Sequence, residues 1–211
     1  MRLVLASANA KKLTELGALL APLGVELVPQ GALGIHEADE PFGTFIENAL
    51  AKARHAAAGA AGPAIADDSG LCVDALGGAP GVASAHYAGF EPPAEGLERE
   101  ARRALQDAAN NRLLLERLVG AADRRARFVG TLVAVRSADD PEPLVAVGRW
   151  EGRILEAAIG AGGFGYDPLM FIPALGRTVA ELAAPAKIAA SHRALAARQM
   201  LLAMREVWGL G

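Results

Sequence analysis

Two adjacent aspartates, Asp67 and Asp68, stand near the start of residues 64–85, which read AIADDSGLCVDALGGAPGVASA. A short apolar run, Ala64-Ile65-Ala66, delivers them onto Ser69-Gly70. A second apolar segment with Asp74 follows, and then the turn-rich Gly77-Gly78-Ala79-Pro80-Gly81. Adjacent acids at the end of a buried strand are costly, because like charges repel and burial disfavours both ionised forms. A divalent cation or a shared proton relieves that cost, so the pattern points to a metal site at a strand end on a glycine-rich loop. Asp-Ser-Gly is also good turn chemistry, and a capping role for either acid suits this stretch equally well.

Three further groups could bind a ligand. Ser7-Ala8-Asn9-Ala10-Lys11-Lys12 lies at a strand-to-helix junction. Unpaired amides there attract anions, and hydroxyl, carboxamide and ammonium groups would reinforce a phosphate cradle. It lacks the glycine spacing and Lys-Ser/Thr pair of a Walker loop, and its bland reading is a capped helix with two solvated lysines. Gly162-Gly163-Phe164-Gly165-Tyr166-Asp167-Pro168 combines close backbone approach, an aromatic that can stack on a base, and an acid that can accept from base or ribose donors. It also suits a tight turn with an aromatic plug. Lys187, and then Ser191-His192-Arg193 at a helix start, offer a cap plus cationic donors, where surface charge and an ordinary hydrogen-bonded histidine are the alternatives. Together these are the parts of a nucleoside triphosphate site with a metal, since α/β proteins bind ligands at the ends of neighbouring parallel strands.

The elements that must position these groups can be read from periodicity. Residues 2–6 form a buried strand, broken at Ser7-Ala8-Asn9. Leu13, Leu16, Leu19, Leu20 and Leu23 recur at helical spacing up to Gly24. Residues 25–28 are a second strand and the acidic segment 37–41 a loop. Thr44 caps a helix with Glu47 as its capping-box partner, and Phe45, Ile46, Ala49, Leu50 and Ala53 share one face. That helix runs to Gly59, and the strand carrying the two acids follows. Residues 87–93 are irregular, 95–118 a long helix with Leu105, Leu113, Leu114 and Leu118 as its apolar positions. Residues 126–135 and 144–148 are strands joined by a hairpin connection at 137–141. Residues 151–154 begin another strand, 160–173 are a loop, and helices over 179–184 and 192–207 close the chain. Early β-α-β-α-β order implies parallel pairing and the later hairpin adds antiparallel strands. The fold class is α/β, a mixed, mostly central twisted sheet flanked by helices.

The chain of 211 residues is read as a single domain over 1–211, long enough for a real core. An apolar fraction of 52% excludes disorder, and a formal charge of −3 leaves no footprint for nucleic acid. The one cysteine, Cys72, excludes an intrachain disulfide and suits packing in a reducing compartment. No apolar run matches a signal peptide or a bilayer span. A soluble cytoplasmic protein is expected, without nucleic-acid or membrane partners.

With LASANAKKLTEL, TFIENALAKA, AIADDSGLCVDALGGAPGVASA, GGFGYDPLMFIP and K…SHR in this order, the chain resembles the inosine triphosphate pyrophosphatase family, the XTP/dITP diphosphatases, over nearly its whole length. Two departures stand out. The family's Thr-Gly-Asn start is Ser-Ala-Asn here, with Ala8 in place of glycine. His86 stands where many members carry arginine. The resemblance implies two lobes with the active-site cleft between them, a homodimer, Mg²⁺ as cofactor, and hydrolysis of ITP, dITP or XTP to the monophosphate and pyrophosphate.

By the same resemblance Asp68 is general base and metal ligand. Asp67 and the acidic loop through Glu40 help hold Mg²⁺, with Glu37 and Asp39 also available. Ser7, Ala8, Asn9, Ala10, Lys11, Lys12 and Ser69 meet the triphosphate, while Phe164, Gly165, Tyr166, Asp167, Lys187, His192 and Arg193 surround the base. A donor such as Arg193 satisfies the 6-carbonyl of hypoxanthine or xanthine and opposes the 6-amino group of adenine. A Maf-like pyrophosphatase of other substrate preference, and a nucleotide-binding module without turnover, are the competing readings.

Overall fold

The computed structural model describes residues 1–7, 9–90 and 96–211, with positions 10, 11 and 99 described by backbone alone. In chain order the main elements are β1 (Arg2–Leu5), α1 (Ala10–Leu20), β2 (Glu26–Pro29), α2 (Phe45–Ala60), β3 (Ala64–Val73) and α3 (Arg99–Arg117). Then come β4 (Arg125–Val135), β5 (Leu144–Ile154), β6 (Met170–Ile172), β7 (Arg177–Thr178), α4 (Ala184–Ala190) and α5 (His192–Trp208). Among the described residues seven strands form one mixed sheet in the order β2-β1-β3-β4-β5-β6-β7. β1 runs parallel to both β2 and β3, whereas β6 is antiparallel to β5 and β7. The mixed α/β class read from the sequence is the one observed.

The chain divides into two compact units. The first comprises Met1–Ser69, Gly130–Arg149 and Ala190–Gly211. Its core follows from strand alternation, which turns successive side chains to opposite faces. Leu3 and Leu5 of β1, Ile65 of β3 and Leu132 and Ala134 of β4 pack with Leu16 and Leu20 of α1 and with Ala196, Ala197, Met200 and Met204 of α5. The intervening residues, Val4, Ala64, Ala66, Val133 and Val135, pack on the other face against the alanines 49, 53, 56 and 57 of α2. At Gly148 α5 lies directly against β5: a β-carbon there would overlap the His192 carbonyl and sit 2.6 Å from the Ala196 nitrogen.

The second unit comprises Gly70–Val129 and Trp150–Ala189. Within it Asn110 of α3 donates to the carbonyls of Ser84 and Ala85 and accepts from the Ala88 amide. Those bonds turn a polar stripe inward, which is why Gln106 and Asn110 are buried while Leu105 is 45% exposed, against its expected apolar role. Leu114 and Leu118 are buried as expected.

Several boundaries move. The acid-bearing strand does not end at Ala66 but runs unbroken to Val73, and residues 144–154 form one strand instead of two. The 160–173 loop ends in β6, and 179–184 shortens to a 3-10 turn at Val179–Glu181 before α4. The expected α3 start at Glu95 and part of the irregular 87–93 stretch lie outside the described residues. Among the described residues no helix is long and apolar enough to cross a membrane.

Candidate active site

Because β3 continues through them, Asp67 and Asp68 project from opposite faces of the sheet. Asp67 shares the face of Ile65 and meets α1 and α5; Asp68 shares that of Ala64 and Ala66 and meets α2. The two carboxylates therefore do not face each other, as a proton or a divalent cation shared between them would require. Asp67 is paired with Lys12 and Arg193, and Asp68 with Lys52.

On the α1/α5 face, Lys12 Nζ lies 2.6 Å from Asp67 Oδ2, and Arg193 Nη2 lies 3.3 Å from the same oxygen. Ser69 Oγ donates to it at 3.3 Å, leaving Asp67 Oδ1 buried without a hydrogen-bond partner. Arg193 is 2% exposed; its Nη1 pairs with Glu15, and its Nη2 also reaches Ser69 Oγ at 3.3 Å. The entry to α1 is built as a capped helix: Ser7 Oγ accepts from the Asn9 amide and Asn9 Oδ1 from the Lys12 amide. The capping alternative is thus realised, yet Lys12 is far from solvated, its side chain being only 17% exposed. Ser191 caps α5 by accepting from the Ala194 amide, and His192 behind it is buried.

On the α2 face, Lys52 Nζ sits 2.9 Å from Asp68 Oδ1 and 3.2 Å from Glu40 Oε1. Asp68 Oδ2 is buried with no hydrogen-bond partner. Thr44 caps α2 as read, accepting from the Glu47 amide and donating to its carboxylate. The buried arc of α2, however, is Asn48, Ala49, Lys52, Ala53, Ala56 and Ala57, and Ile46 is exposed.

The electrostatics of the two acids differ in sign. Burial alone would raise both carboxyls. For Asp67 that cost is outweighed by Arg193 and Lys12, which hold it far below the usual carboxylate range. For Asp68 burial prevails over Lys52, and Glu40 adds to it, so this carboxyl is raised. The same balance lowers Lys12, where burial outweighs Asp67, and raises Lys52, where Asp68 and Glu40 outweigh burial. Asp67 is thereby favoured as the carboxylate, whereas Asp68 is favoured in its protonated form relative to a solvated aspartate.

The second unit holds the aromatic loop. Asp167 Oδ2 accepts from the Phe164 amide at 2.8 Å and from Lys187 Nζ at 2.6 Å. The ammonium also lies 4.3 Å from the centre of the Phe164 ring. Gly163 has φ +78°, and a β-carbon there would run into the Asp167 carboxylate, so glycine is required. Tyr166 is buried, its hydroxyl donating to the Ser84 carbonyl, which leaves half-buried Phe164 as the ring suited to stacking. His86 is exposed.

The Ham1 family model matches residues 3–203. The chain belongs to the Ham1 family. It is 71% identical to the dITP/XTP pyrophosphatase of Leptothrix cholodnii over 211 residues, the full length of both chains, and 70% identical to that of Methylibium petroleiphilum over 208 residues, 99% of each. Among solved structures it is similar to a HAM1 protein from Coxiella burnetii (TM-score 0.85, 39% identity, 98% of this chain and 100% of the other). It is also similar to the Staphylococcus aureus Ham1 protein (TM-score 0.82, 32% identity, 98% and 99%).

Of the residues expected at the site, the first unit gathers Asn9, Lys12, Asp67, Ser69 and Arg193 on one face and Glu40 with Asp68 on the other. Phe164, Asp167 and Lys187 meet in the second unit. Ala8 and the side chains of Ala10 and Lys11 lie outside the described residues. Among the described residues no three acids, histidines or cysteines form a ready metal cluster, and Asp67 does not join Asp68 and Glu40. Sequence reasoning passed over Lys52 and Glu15. Lys52 carried a signal, since it falls on the alanine arc of α2 that packs on the sheet. Glu15 carried none.

Proposed function

We propose that this Ham1-family chain hydrolyses deaminated purine nucleoside triphosphates, ITP, dITP and XTP, to the nucleoside monophosphate and pyrophosphate. The observation that carries the reading is Asp68: a buried carboxylate with one oxygen on Lys52, the other unpartnered, and Glu40 alongside. That donor set suits a hard divalent cation such as Mg²⁺, which takes one or two carboxylates and keeps the rest of its shell for water and phosphate. Asp68 and Glu40 would hold the ion, whereas Asp67, on the opposite face and engaged by Lys12 and Arg193, would not. When bound, the ion would offset phosphate charge and lower the pKa of water.

The chain's own residues do the remainder. Lys12 and Lys52, with Ser7, Asn9 and Ser69, bind and orient the triphosphate, where positioning and charge stabilisation dominate phosphoryl transfer. Asp68 accepts a proton from the attacking water as the new P–O bond forms and the α–β bridging bond breaks, so pyrophosphate leaves. Burial raises this carboxyl and Lys52 opposes the rise. Phe164 supplies the stacking surface for the base, and Lys187 a donor suited to a 6-carbonyl and unsuited to a 6-amino group; an unsatisfied buried pair costs about 1–3 kcal/mol. His192 and Arg193, which the resemblance assigns to the base, belong to the first unit, where Arg193 is engaged by Asp67 and Glu15.

Asp68→Asn tests the assignment. The variant should keep its melting temperature and lose pyrophosphate release by at least about a thousandfold; full turnover would remove Asp68 from the mechanism. The same reading takes the working unit to be a homodimer, and a monomeric mass by light scattering at micromolar concentration would contradict it.

A further inference from the structure

One face of α3 grips the aromatic loop. Arg103, Asp107 and Asn111 recur every four residues and so share a stripe on the helix. Asp107 Oδ2 accepts from the Gly165 amide at 2.7 Å, and Asn111 Nδ2 donates to the Gly165 carbonyl at 3.0 Å. Arg103 stands one turn earlier with its guanidinium 5.7 Å from the centre of the Phe164 ring. Both polar groups of Gly165 are thus held by side chains one helical turn apart. Gly165 has φ +62° and open space around its α-carbon, so neither sterics nor a preferred backbone well fixes it. Rotation of its two flanking peptides would carry Phe164 one way and Asp167, with Lys187, the other.

We propose that Asp107 and Asn111 are positioning residues for purine selection, and that their grip on Gly165 sets the geometry in which Phe164, Asp167 and Lys187 meet the base. The inference rests on the reading of this loop as the base site. Both side chains hydrogen-bond to the loop backbone at Gly165, so the effect falls on substrate binding and discrimination and spares the chemical step.

The test is steady-state kinetics with ITP and ATP on Asp107→Ala, Asn111→Leu and Asp107→Asn. The first two should raise KM for ITP about tenfold with kcat within about twofold, and narrow the ITP-to-ATP ratio of kcat/KM at least about fivefold. Asp107→Asn keeps an acceptor for the Gly165 amide and should stay near wild type, which distinguishes positioning from mere stability and guards against an alanine variant that fails to fold. Unchanged KM and ratio in Asn111→Leu, or a loss in Asp107→Asn as deep as in Asp107→Ala, would overturn the proposal. Phe164→Ala separates the two layers. If it leaves KM and ratio unmoved, the base-site reading fails; if it matters while the α3 variants do not, only the positioning role fails.

Discussion

Asp67 and Asp68 acquire different chemistry from a single property of extended backbone, the alternation of side chains between faces. Asp67 is held by Lys12 and Arg193 well below the usual carboxylate range, while Asp68, met by Lys52 with Glu40 alongside, is raised by burial. Lys52 works against that rise. Replacing it with methionine removes the ammonium that favours the Asp68 carboxylate, so the carboxyl must reach a higher pH before it ionises. The acid limb of the kcat/KM profile should accordingly move to higher pH in Lys52→Met, and a limb that stays in place would mean that Asp68 is not the group being titrated. The acid pair was plain in the sequence, but its division between two faces was not. Asp-Ser-Gly reads as a turn, whereas the strand runs on to Val73, and only that continuation decides that the acids point apart.

At the scale of elements, the site depends on α5 approaching the sheet closely enough for Arg193 to reach Asp67. Gly148 makes that approach possible. Gly148→Ala should lower stability by about 1–3 kcal/mol or more, because a methyl has no room against the His192 carbonyl and the Ala196 nitrogen. Gly17→Ala on α1 meets nothing within 4 Å and should stabilise the chain by about 0.5–1 kcal/mol through helix propensity alone. Urea denaturation of the two variants checks the contrast, and similar effects in both would refute the packing argument. Helices with leucine or alanine periodicity and a clear cap, such as α1 and α2, were legible before any coordinates. α3 was legible as a helix but not in its orientation, since Asn110 and its carbonyl partners outweigh Leu105 in choosing the buried face. The merging of residues 144–154 into one strand was hidden by Gly148 and Gly152, which read as breaks and serve as points of close approach. A β-carbon at Gly152 would lie 2.5 Å from the Phe171 carbonyl oxygen.

At the scale of the whole molecule, membership of the Ham1 family and the two residue clusters support one activity, removal of pyrophosphate from deaminated purine triphosphates. The phosphate-suited groups of the first unit and the aromatic loop of the second were each ambiguous as single motifs, and their order along the chain made the resemblance specific. Lys52 and Glu15 escaped because the partners of a buried charge come from distant segments. The most direct test is a set of rates on ITP, dITP, XTP, GTP, ATP and pyrimidine triphosphates with Mg²⁺ present and withheld, scoring pyrophosphate against orthophosphate. The account predicts Mg²⁺-dependent pyrophosphate release from ITP, dITP and XTP, with ATP and GTP slower by orders of magnitude. Orthophosphate as the product, a preference for pyrimidines, or no turnover of ITP would contradict it.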